Sequence, residues 1–292
     1  MDINGKTRVC GLIGNPVEHT LSPLIHNTLA KRLGQNLVYV PFLVSGGADE
    51  VQKAVEGAFS LNVLGLNVTV PHKETVAGIL QQKDELAEKI GAVNTLVRTP
   101  QGYKGYNTDM TGLYRAMTSE GIVIQGQELI LLGAGGAARA VAFLCAGYGA
   151  KRVFLMNRSL DKAGKVAREV FEKTGRDCMV PMALTDYTSL PEGKFLAIQC
   201  TSVGLYPDTE QAVIMERAFY EKVHTGYDLI YRPCDTKFMR LVRESGGSAY
   251  HGLKMLLYQG IHAYELWNDR IVPQETVMEI YKQMKEEMGI EA

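Results

Sequence analysis

A glycine-rich segment in the middle of the chain has the spacing that binds the pyrophosphate of a dinucleotide. Residues 133–139, Gly-Ala-Gly-Gly-Ala-Ala-Arg, follow the apolar run Glu128–Leu132 directly and precede a helical pattern. They fit the G-x-G-x-x-G/A spacing, in which the first glycine makes a tight turn and the second lets the backbone approach a phosphate. The free amides at the start of the helix would then face the phosphates. The predicted contacts are Gly133, Ala134, Gly135, Gly136 and Ala137. A glycine-rich turn without a ligand is the alternative.

The end of the next predicted strand distinguishes NADP from NAD. An NAD site usually has an acidic residue there, which binds the ribose 2′-hydroxyl. This chain has Asn157, Arg158, Ser159 and Lys162 instead. Because a guanidinium can bind a phosphate through two hydrogen bonds, we predict NADP as the cofactor, with NAD as a weaker alternative. Two observations oppose this: Ser159 could simply cap a solvated helix, and Asp161 would repel a phosphate if it pointed inward.

Four polar clusters in the first half of the chain each lie at the edge of a predicted strand or helix. They are His19–Asn27, Asn67–Lys73, Gly91–Thr95 and Asn107–Asp109. Singly, each has a structural interpretation, with Ser22 and Asp109 as helix N-caps, Lys73 as a solvated side chain and Asn94 at a strand edge. Their occurrence together with a dinucleotide fingerprint indicates hydride transfer to or from a small polar substrate.

The elements that must position these residues alternate between short apolar runs and helical stretches, which is typical of βαβ units. Predicted strands are Val9–Ile13, Leu37–Leu43, Gly65–Val70, Glu128–Leu132, Arg152–Met156, Phe195–Gln199 and Tyr227–Ile230, with a hairpin of Ala92–Arg98 and Tyr103–Tyr106. Predicted helices are Met110–Glu120, Leu253–Asn268 and Gln274–Glu287, and Ser22-Pro23 is expected to open another with the serine as N-cap. We therefore predict an α/β protein with one domain at 1–110, a Rossmann domain at 111–252, and terminal helices at 253–292 that return to the first domain.

Composition restricts the class of protein further. The chain has 292 residues, 46% of them hydrophobic and 22% charged, and a formal net charge of −1. This balance favours neither nucleic acid nor an anionic membrane as a partner, and no apolar run approaches the roughly 18 residues of a membrane span. The segment Met1–Lys6 lacks the apolar core of a signal peptide. Five scattered cysteines predict reduced thiols and a cytoplasmic location, and the histidine spacing predicts no metal site.

The order of these motifs resembles the shikimate dehydrogenase family, which includes the quinate/shikimate dehydrogenases. The resemblance runs from Gly11 to Gly260. Besides the clusters above, it includes Asn157–Ser159, Cys200–Gly204, Tyr227–Pro233 and Gly252–Gly260. It implies an N-terminal α/β substrate-binding domain, a C-terminal Rossmann NADP-binding domain and an active site in the inter-domain cleft. The implied activity is the reversible NADPH-dependent reduction of 3-dehydroshikimate to shikimate, on the chorismate route to aromatic amino acids.

The resemblance also implies a role for individual residues. Lys73 resembles the family's catalytic lysine, which donates a proton in reduction, and Asp109 resembles its carboxylate partner. The implied contacts to the ring hydroxyls are Thr69, Asn94 and Gln259, and those to the substrate carboxylate are Thr20, Ser22 and Tyr231. The positions implied near the nicotinamide are Leu229, Gly252 and Met255.

Two positions depart from the family's pattern. Thr20 stands where the family usually has serine, and its extra methyl group leaves quinate open as a substrate. Lys254 replaces a small residue and is expected to point to solvent. Two alternative functions remain. One is a quinate/shikimate dehydrogenase that uses NAD. The other is an inactive nucleotide-binding protein, which should have lost Lys73 or Asp109. The sequence leaves open a monomer or a homodimer.

Overall fold

The computed structural model describes residues 3–290 and divides the chain into two compact units, each built on a six-stranded sheet. The first unit runs to Arg115 and resumes at Leu256, and the second comprises Ala116–Met255. Both units mix helices with strands, which confirms the predicted α/β class. The functional domains assigned to 1–110, 111–252 and 253–292 stay a prediction at this point.

The first unit carries a mixed sheet. Its elements are β1 (Arg8–Gly14), α1 (Ser22–Arg32), β2 (Leu37–Leu43), α2 (Ala48–Ser60), β3 (Gly65–Val68), α3 (Lys73–Ile79), β4 (Gln82–Lys83), α4 (Glu85–Ile90), β5 (Thr95–Thr99), β6 (Gly102–Tyr106) and α5 (Thr108–Ser119). The sheet order is β2-β1-β3-β5-β6-β4. Strand β1 is parallel to β2 and β3, whereas β5 is antiparallel to β3 and β6.

The second unit carries a fully parallel sheet. Its elements are β7 (Glu128–Leu132), α6 (Gly136–Gly147), β8 (Arg152–Asn157), α7 (Leu160–Thr174), β9 (Met179–Ala183), β10 (Phe195–Gln199), α8 (Arg217–Tyr220), β11 (Val223–Asp228), α9 (Lys237–Glu244) and β12 (Ser248–Tyr250). The order β12-β11-β10-β7-β8-β9 reverses direction at β7. Ligands bind open α/β sheets at the carboxyl ends of the strands beside such a reversal, and the glycine-rich segment follows β7.

Two long helices end the chain, α10 (Leu253–Asn268) and α11 (Gln274–Glu287). The last turn of α10 packs on the first unit's sheet through Trp267, whose indole N–H donates to the Leu96 carbonyl at 2.9 Å. A Cβ on Gly65 would lie 2.0 Å from the Trp267 ring nitrogen. The glycine therefore lets this indole lie directly on β3. Along residues 3–290, no helix combines the length and the apolar character needed to span a bilayer.

Several local predictions differ from the structure: the strand predicted at Ala92–Arg98 lies at Thr95–Thr99, and the helix predicted at Met110–Glu120 lies at Thr108–Ser119. Ser22 is the first residue of α1 rather than its N-cap, because Leu21 occupies the cap position and no side chain caps the helix. The strand predicted at Gly65–Val70 ends at Val68, where the chain turns toward Pro71. The strand predicted at Tyr227–Ile230 lies at Val223–Asp228, since the chain leaves the sheet after Asp228.

Candidate active site

Lys73 and Asp109 lie in the first turns of two helices and form an ion pair. Lys73 is the first residue of α3, and Asp109 is the second residue of α5. The lysine Nζ donates to the aspartate Oδ2 at 2.6 Å, and the two side chains are 31% and 20% exposed. A charged donor held by a carboxylate and still open to solvent can deliver a proton to a bound ligand.

The turn before Lys73 is fixed by hydrogen bonds to the neighbouring strand. The Thr69 amide donates to the Ile13 carbonyl at 2.9 Å, and the His72 amide donates to the Thr69 carbonyl at 3.0 Å. The imidazole Nε2 of buried His72 lies 2.7 Å from the Val44 carbonyl. A Cβ on Gly14 would lie 2.2 Å from the Thr69 methyl group. Only glycine therefore lets Thr69 lie so close over the end of β1.

Asn94 holds the start of the helix that carries Asp109. Its side-chain oxygen accepts from the Thr108 amide at 2.7 Å, and its amide nitrogen donates to the Thr108 hydroxyl at 3.0 Å. The Asn94 side chain is 2% exposed. Asn94 thus binds one of the amides in the first turn of α5 that has no partner within the helix. This bond fixes the backbone next to Asp109.

The remaining predicted substrate contacts of the first unit lie just before α1, at its first residue and on α10. The Thr20 hydroxyl donates to the Ser22 hydroxyl at 3.0 Å, so the two predicted carboxylate contacts form one hydroxyl pair. Gln259 lies on α10, where its side chain donates to the Leu256 carbonyl at 2.8 Å. A Cβ on Gly112 would lie 2.6 Å from the Gln259 backbone nitrogen. The glycine lets α5 and α10 touch. Gln259 therefore lies against Gly112, which is about one helical turn after Asp109 on α5.

The glycine-rich loop of the second unit has room for a pyrophosphate. Gly133 has a φ of 113°, which disfavours any residue with a Cβ, and such a Cβ would lie 2.9 Å from the Thr201 methyl group. Gly135 and Gly136 have nothing within 4 Å of the position of a Cβ. Ala138 is fully buried against the sheet. The open face at the second and third glycines leaves the amides at the start of α6 free to bind an anion.

The segment after β8 presents two exposed cations. The Asn157 side chain donates to the Ser159 carbonyl at 2.9 Å, and the Ser159 hydroxyl accepts from the Lys162 amide at 3.4 Å. Ser159 is therefore the N-cap of α7, as the alternative interpretation held. Arg158 and Lys162 are exposed, and so is Asp161. A serine in a cap keeps its hydroxyl hydrogen for another acceptor, so capping and phosphate binding are compatible.

Buried Asp228, which had no predicted role of its own, shapes the loop after β11. Asp228 accepts from the Thr236 hydroxyl at 2.6 Å, from the Ile230 amide at 3.0 Å and from the Gln199 side chain at 3.2 Å. Burial raises the pKa of Asp228 to about 6. The sequence signal that could have identified it was an aspartate within the otherwise apolar run Tyr227–Ile230. Its bond to the Ile230 amide ends the strand and fixes the loop 229–236.

Four predicted site residues lie on that loop or beside it. Tyr231, Leu229 and Met255 are half-buried, and Gly252 is buried. A Cβ on Gly252 would lie 2.2 Å from the Leu229 carbonyl oxygen. The backbones at 229 and 252 can therefore approach each other only because residue 252 is a glycine.

Lys254 does not point to solvent, and that expectation is wrong. Its ammonium forms an ion pair with Glu120, and its side chain is only 17% exposed. The four-carbon stem is covered while the charge meets a carboxylate, a common arrangement for lysine.

The predicted residues thus form two groups, one in each unit. The first unit contains Lys73, Asp109, Thr20, Ser22, Thr69, Asn94 and Gln259, and the second contains residues 133–137, 157–159, 162, 229, 231, 252 and 255. Within residues 3–290, no cluster of three or more histidine, cysteine or acidic side chains could hold a metal ion.

Comparison with known proteins identifies the family. Residues 12–96 match the model of the shikimate dehydrogenase substrate binding domain, and residues 252–280 match that of the shikimate 5'-dehydrogenase C-terminal domain. A curated protein of Desulforamulus reducens, named shikimate dehydrogenase (NADP(+)), is 41% identical over 280 residues, which cover 95% of this chain and 96% of the relative. The chain belongs to the shikimate dehydrogenase family.

Solved structures of the shikimate dehydrogenase family share the fold. Shikimate 5-dehydrogenase from Listeria monocytogenes, in complex with shikimate and NAD, superposes with a TM-score of 0.87 at 31% identity, over 96% of this chain and 98% of that one. The enzyme from Thermus thermophilus, in complex with NADP(H) and shikimate, gives 0.81 at 29% identity, over 95% and 99%. The predicted architecture, an N-terminal substrate domain followed by a Rossmann-like NADP-binding domain, is that of the family.

Proposed function

We propose that this protein is an NADP-dependent shikimate dehydrogenase, which reversibly reduces 3-dehydroshikimate to shikimate in aromatic amino acid biosynthesis. The observation that carries the proposal is the Lys73–Asp109 ion pair, 2.6 Å long, in a chain of this family. Its curated relatives at 36–41% identity are named shikimate dehydrogenase (NADP(+)). The chain covers 96% of the first of them, so the whole activity can reside in it.

Lys73 supplies the proton in the proposed reaction. When hydride adds to the substrate carbonyl, its oxygen gains negative charge and takes a proton from the Lys73 ammonium. In the oxidative direction, neutral Lys73 removes the proton from the hydroxyl. Asp109 holds the ammonium in place and accepts from a ring hydroxyl. Positioned acid–base groups of this kind typically contribute about 10²–10⁴ in rate.

The other polar residues bind and orient the substrate in this proposal. Thr69, Asn94 and Gln259 contact the ring hydroxyls, because hydroxyl and amide groups both donate and accept. Thr20, Ser22 and Tyr231 donate hydroxyl hydrogens to the substrate carboxylate. The Thr20–Ser22 pair supports this, since two hydroxyls 3.0 Å apart can turn together toward one anion.

NADPH supplies the hydride when it is bound. Residues 133–137 would hold its pyrophosphate, and the open space beside Gly135 and Gly136 fits that group. Asn157, Arg158, Ser159 and Lys162 would hold the 2′-phosphate, while Leu229, Gly252 and Met255 would border the nicotinamide.

The second candidate is a quinate/shikimate dehydrogenase that also accepts NAD. Thr20 favours quinate as a substrate, because its methyl group alters the carboxylate pocket. Asp161 favours NAD as a cofactor, because an exposed carboxylate beside the ribose 2′-position suits a hydroxyl better than a phosphate. Arg158 and Lys162 argue against strict use of NAD. An inactive nucleotide-binding protein is disfavoured, because both members of the Lys73–Asp109 pair are present.

We further propose a cytoplasmic protein without nucleic-acid or membrane partners. All five cysteines lie within the described residues and are free thiols, four of them buried, as expected in a reducing compartment. The net charge of −1 gives the protein no overall positive charge that would attract nucleic acid. A monomer or a homodimer is equally compatible with these observations.

Product analysis tests the proposed reaction. The purified protein is incubated with 3-dehydroshikimate and NADPH, and the products are identified by nuclear magnetic resonance. Shikimate formed in the same amount as the NADPH consumed supports the proposal. Consumption of NADPH without formation of shikimate contradicts it. So does the absence of any reaction both with 3-dehydroshikimate and NADPH and with shikimate and NADP.

A further inference from the structure

A chain of buried hydrogen bonds crosses the sheet of the first unit and involves residues that the proposed function does not use. Its members are Tyr39 on β2, Asn67 on β3, Thr95 at the start of β5 and Thr108 at the start of α5. All four are buried, with exposures of 1%, 4%, 0% and 0%. We call these four residues the buried relay.

Each contact of the buried relay has ordinary hydrogen-bond geometry. The Tyr39 hydroxyl donates to the Asn67 side-chain oxygen at 2.8 Å, and the Asn67 amide nitrogen donates to the Thr95 hydroxyl at 3.0 Å. The Thr95 hydroxyl lies 3.0 Å from the Thr108 hydroxyl. Tyr39 and Asn67 are on the strands that flank β1, so the contact between their side chains crosses β1.

One end of the buried relay meets the proposed carboxylate pocket. Tyr39 holds α1 through Asn27: the Tyr39 amide donates to the Asn27 side-chain oxygen at 2.8 Å, and the Asn27 amide nitrogen donates to the Tyr39 carbonyl at 3.0 Å. The same helix begins with Ser22, which accepts from Thr20. His26 stacks on the Tyr39 ring with centroids 4.3 Å apart, which fixes the ring. Burial lowers the pKa of His26 to about 3, so the imidazole adds no charge at neutral pH.

The other end of the buried relay meets the acid–base pair. Thr108 immediately precedes Asp109, whose carboxylate holds Lys73. The Thr95 hydroxyl also donates to the Asn94 side-chain oxygen at 3.2 Å, and that oxygen accepts from the Thr108 amide. Thr95 is therefore the point at which the relay meets both Asn94 and the start of α5.

Buried polar groups that satisfy one another have few alternative arrangements. A donor or acceptor that loses its partner in such a place must either shift or remain unsatisfied, and its neighbours respond because members of a network act together. Each member of the buried relay therefore holds its immediate neighbours in place. A core that needed only to be filled would use apolar residues of the same size at these positions.

We propose that Tyr39, Asn67 and Thr95 are positioning residues that fix the carboxylate pocket and the Lys73–Asp109 pair relative to each other, an inference that rests on the proposed function. Tyr39 holds α1, whose first residue is Ser22, and Thr95 sets the position of Asn94 and of the first turn of α5. Loss of the Tyr39 hydroxyl should weaken substrate binding. Loss of the Thr95 hydroxyl should slow the chemical step.

Four variants test this division of roles by steady-state kinetics of shikimate oxidation with NADP, together with thermal melting. Thr95→Val removes a hydroxyl at constant shape, and Thr95→Ser retains it. Tyr39→Phe removes the tyrosine hydroxyl. Tyr103→Phe is the matched control, because Tyr103 is also buried and its hydroxyl donates to the Val63 carbonyl at 2.6 Å, in the same unit but outside the buried relay.

The buried relay predicts a split between kcat and KM. Thr95→Val should lower kcat about tenfold with the KM for NADP unchanged, and Thr95→Ser should stay within about twofold of the wild type. Tyr39→Phe should raise the KM for shikimate about fivefold with kcat nearly unchanged, because the pocket and not the proton donor is disturbed. Tyr103→Phe should change neither parameter.

The proposal is overturned if Thr95→Val and Tyr39→Phe lower only the melting temperature, as Tyr103→Phe does. Should Thr95→Val fail to fold, Tyr39→Phe decides alone, and an unchanged KM for shikimate overturns the proposal. A wild-type protein without activity overturns the proposed function and the buried relay with it. An active wild type with kinetically normal variants overturns the buried relay alone.

Discussion

The acid–base role of Lys73 is the most direct prediction for a single residue. Lys73→Ala should lower kcat by about 10²–10⁴, because the developing alkoxide loses its proton donor. Binding of NADP, measured by calorimetry, should change little. Lys53→Ala, which removes an exposed lysine on α2, is the control and should remain active. A fully active Lys73→Ala enzyme would refute the role.

Arg158 is expected to select the cofactor. Arg158→Ala should weaken NADP binding by roughly 1.5–3 kcal/mol, the value of a hydrogen bond to a charged group, and should leave NAD binding nearly unchanged. Titration of both cofactors into the variant measures this difference. Arg217→Ala, at an exposed position on α8, is the control. Equal losses for NADP and NAD would show that Arg158 does not bind the 2′-phosphate.

The packing of α5 on α10 depends on a glycine. In Gly112→Ala, the new methyl group would lie 2.6 Å from the Gln259 backbone nitrogen, so the helices must separate. Overpacking of this kind typically costs about 1–3 kcal/mol, and the displaced Gln259 should raise the KM for shikimate. Gly57→Ala on α2 is the control, since a Cβ there meets nothing within 4 Å. Unchanged stability and KM in Gly112→Ala would contradict the predicted contact.

An ion pair ties together the two helices that follow the proposed phosphate-binding segments. Arg139 on α6 donates to Glu169 on α7 at 2.6 Å, and Lys173 also pairs with this carboxylate. Hydrogen bonding from Arg139 lowers the pKa of Glu169 to about 2, from an ordinary value of 4.5. The folded protein therefore holds this proton less tightly than the unfolded chain. The resulting stabilisation is complete above pH 4.5 and is lost as the pH falls toward 2.

The free energy of unfolding, measured in urea across this pH range, tests that linkage. The wild type should lose more stability on acidification than Glu169→Gln, so the difference between the two should shrink as the pH approaches 2. Glu172→Gln, at an exposed position of the same helix, should follow the wild type. A constant difference between the wild type and Glu169→Gln from pH 5 to pH 2 would contradict the linkage.

Element boundaries were predictable from sequence where a local signal marks them. α10 and α11 have the predicted bounds. A clear helical pattern fills each helix, and the short segment from Asp269 to Pro273 separates the two. The bounds of β11 were wrong because Leu229 and Ile230 continue its apolar pattern. The strand instead ends where the Asp228 side chain binds the Ile230 amide, a contact that the apolar pattern does not reveal.

At the scale of the whole molecule, local motifs identified the candidate site better than they explained its geometry. The glycine-rich loop and Asn157–Lys162 are short segments, so their chemistry is visible in sequence. The buried relay joins residues from four separate elements, and no short segment contains two of its contacts. The ion pair of Lys254 with Glu120 was missed for the same reason, since 134 positions separate the partners along the chain.

Substrate and cofactor choice is the central claim for the molecule as a whole. The most direct test follows the near-ultraviolet absorbance of reduced nicotinamide when the purified protein meets shikimate or quinate, each with NADP or NAD. We predict a strong signal with shikimate and NADP and a weak signal in the other three pairs. A comparable signal with quinate or with NAD would place the protein among the quinate/shikimate dehydrogenases, and no signal in any pair would contradict the proposed activity.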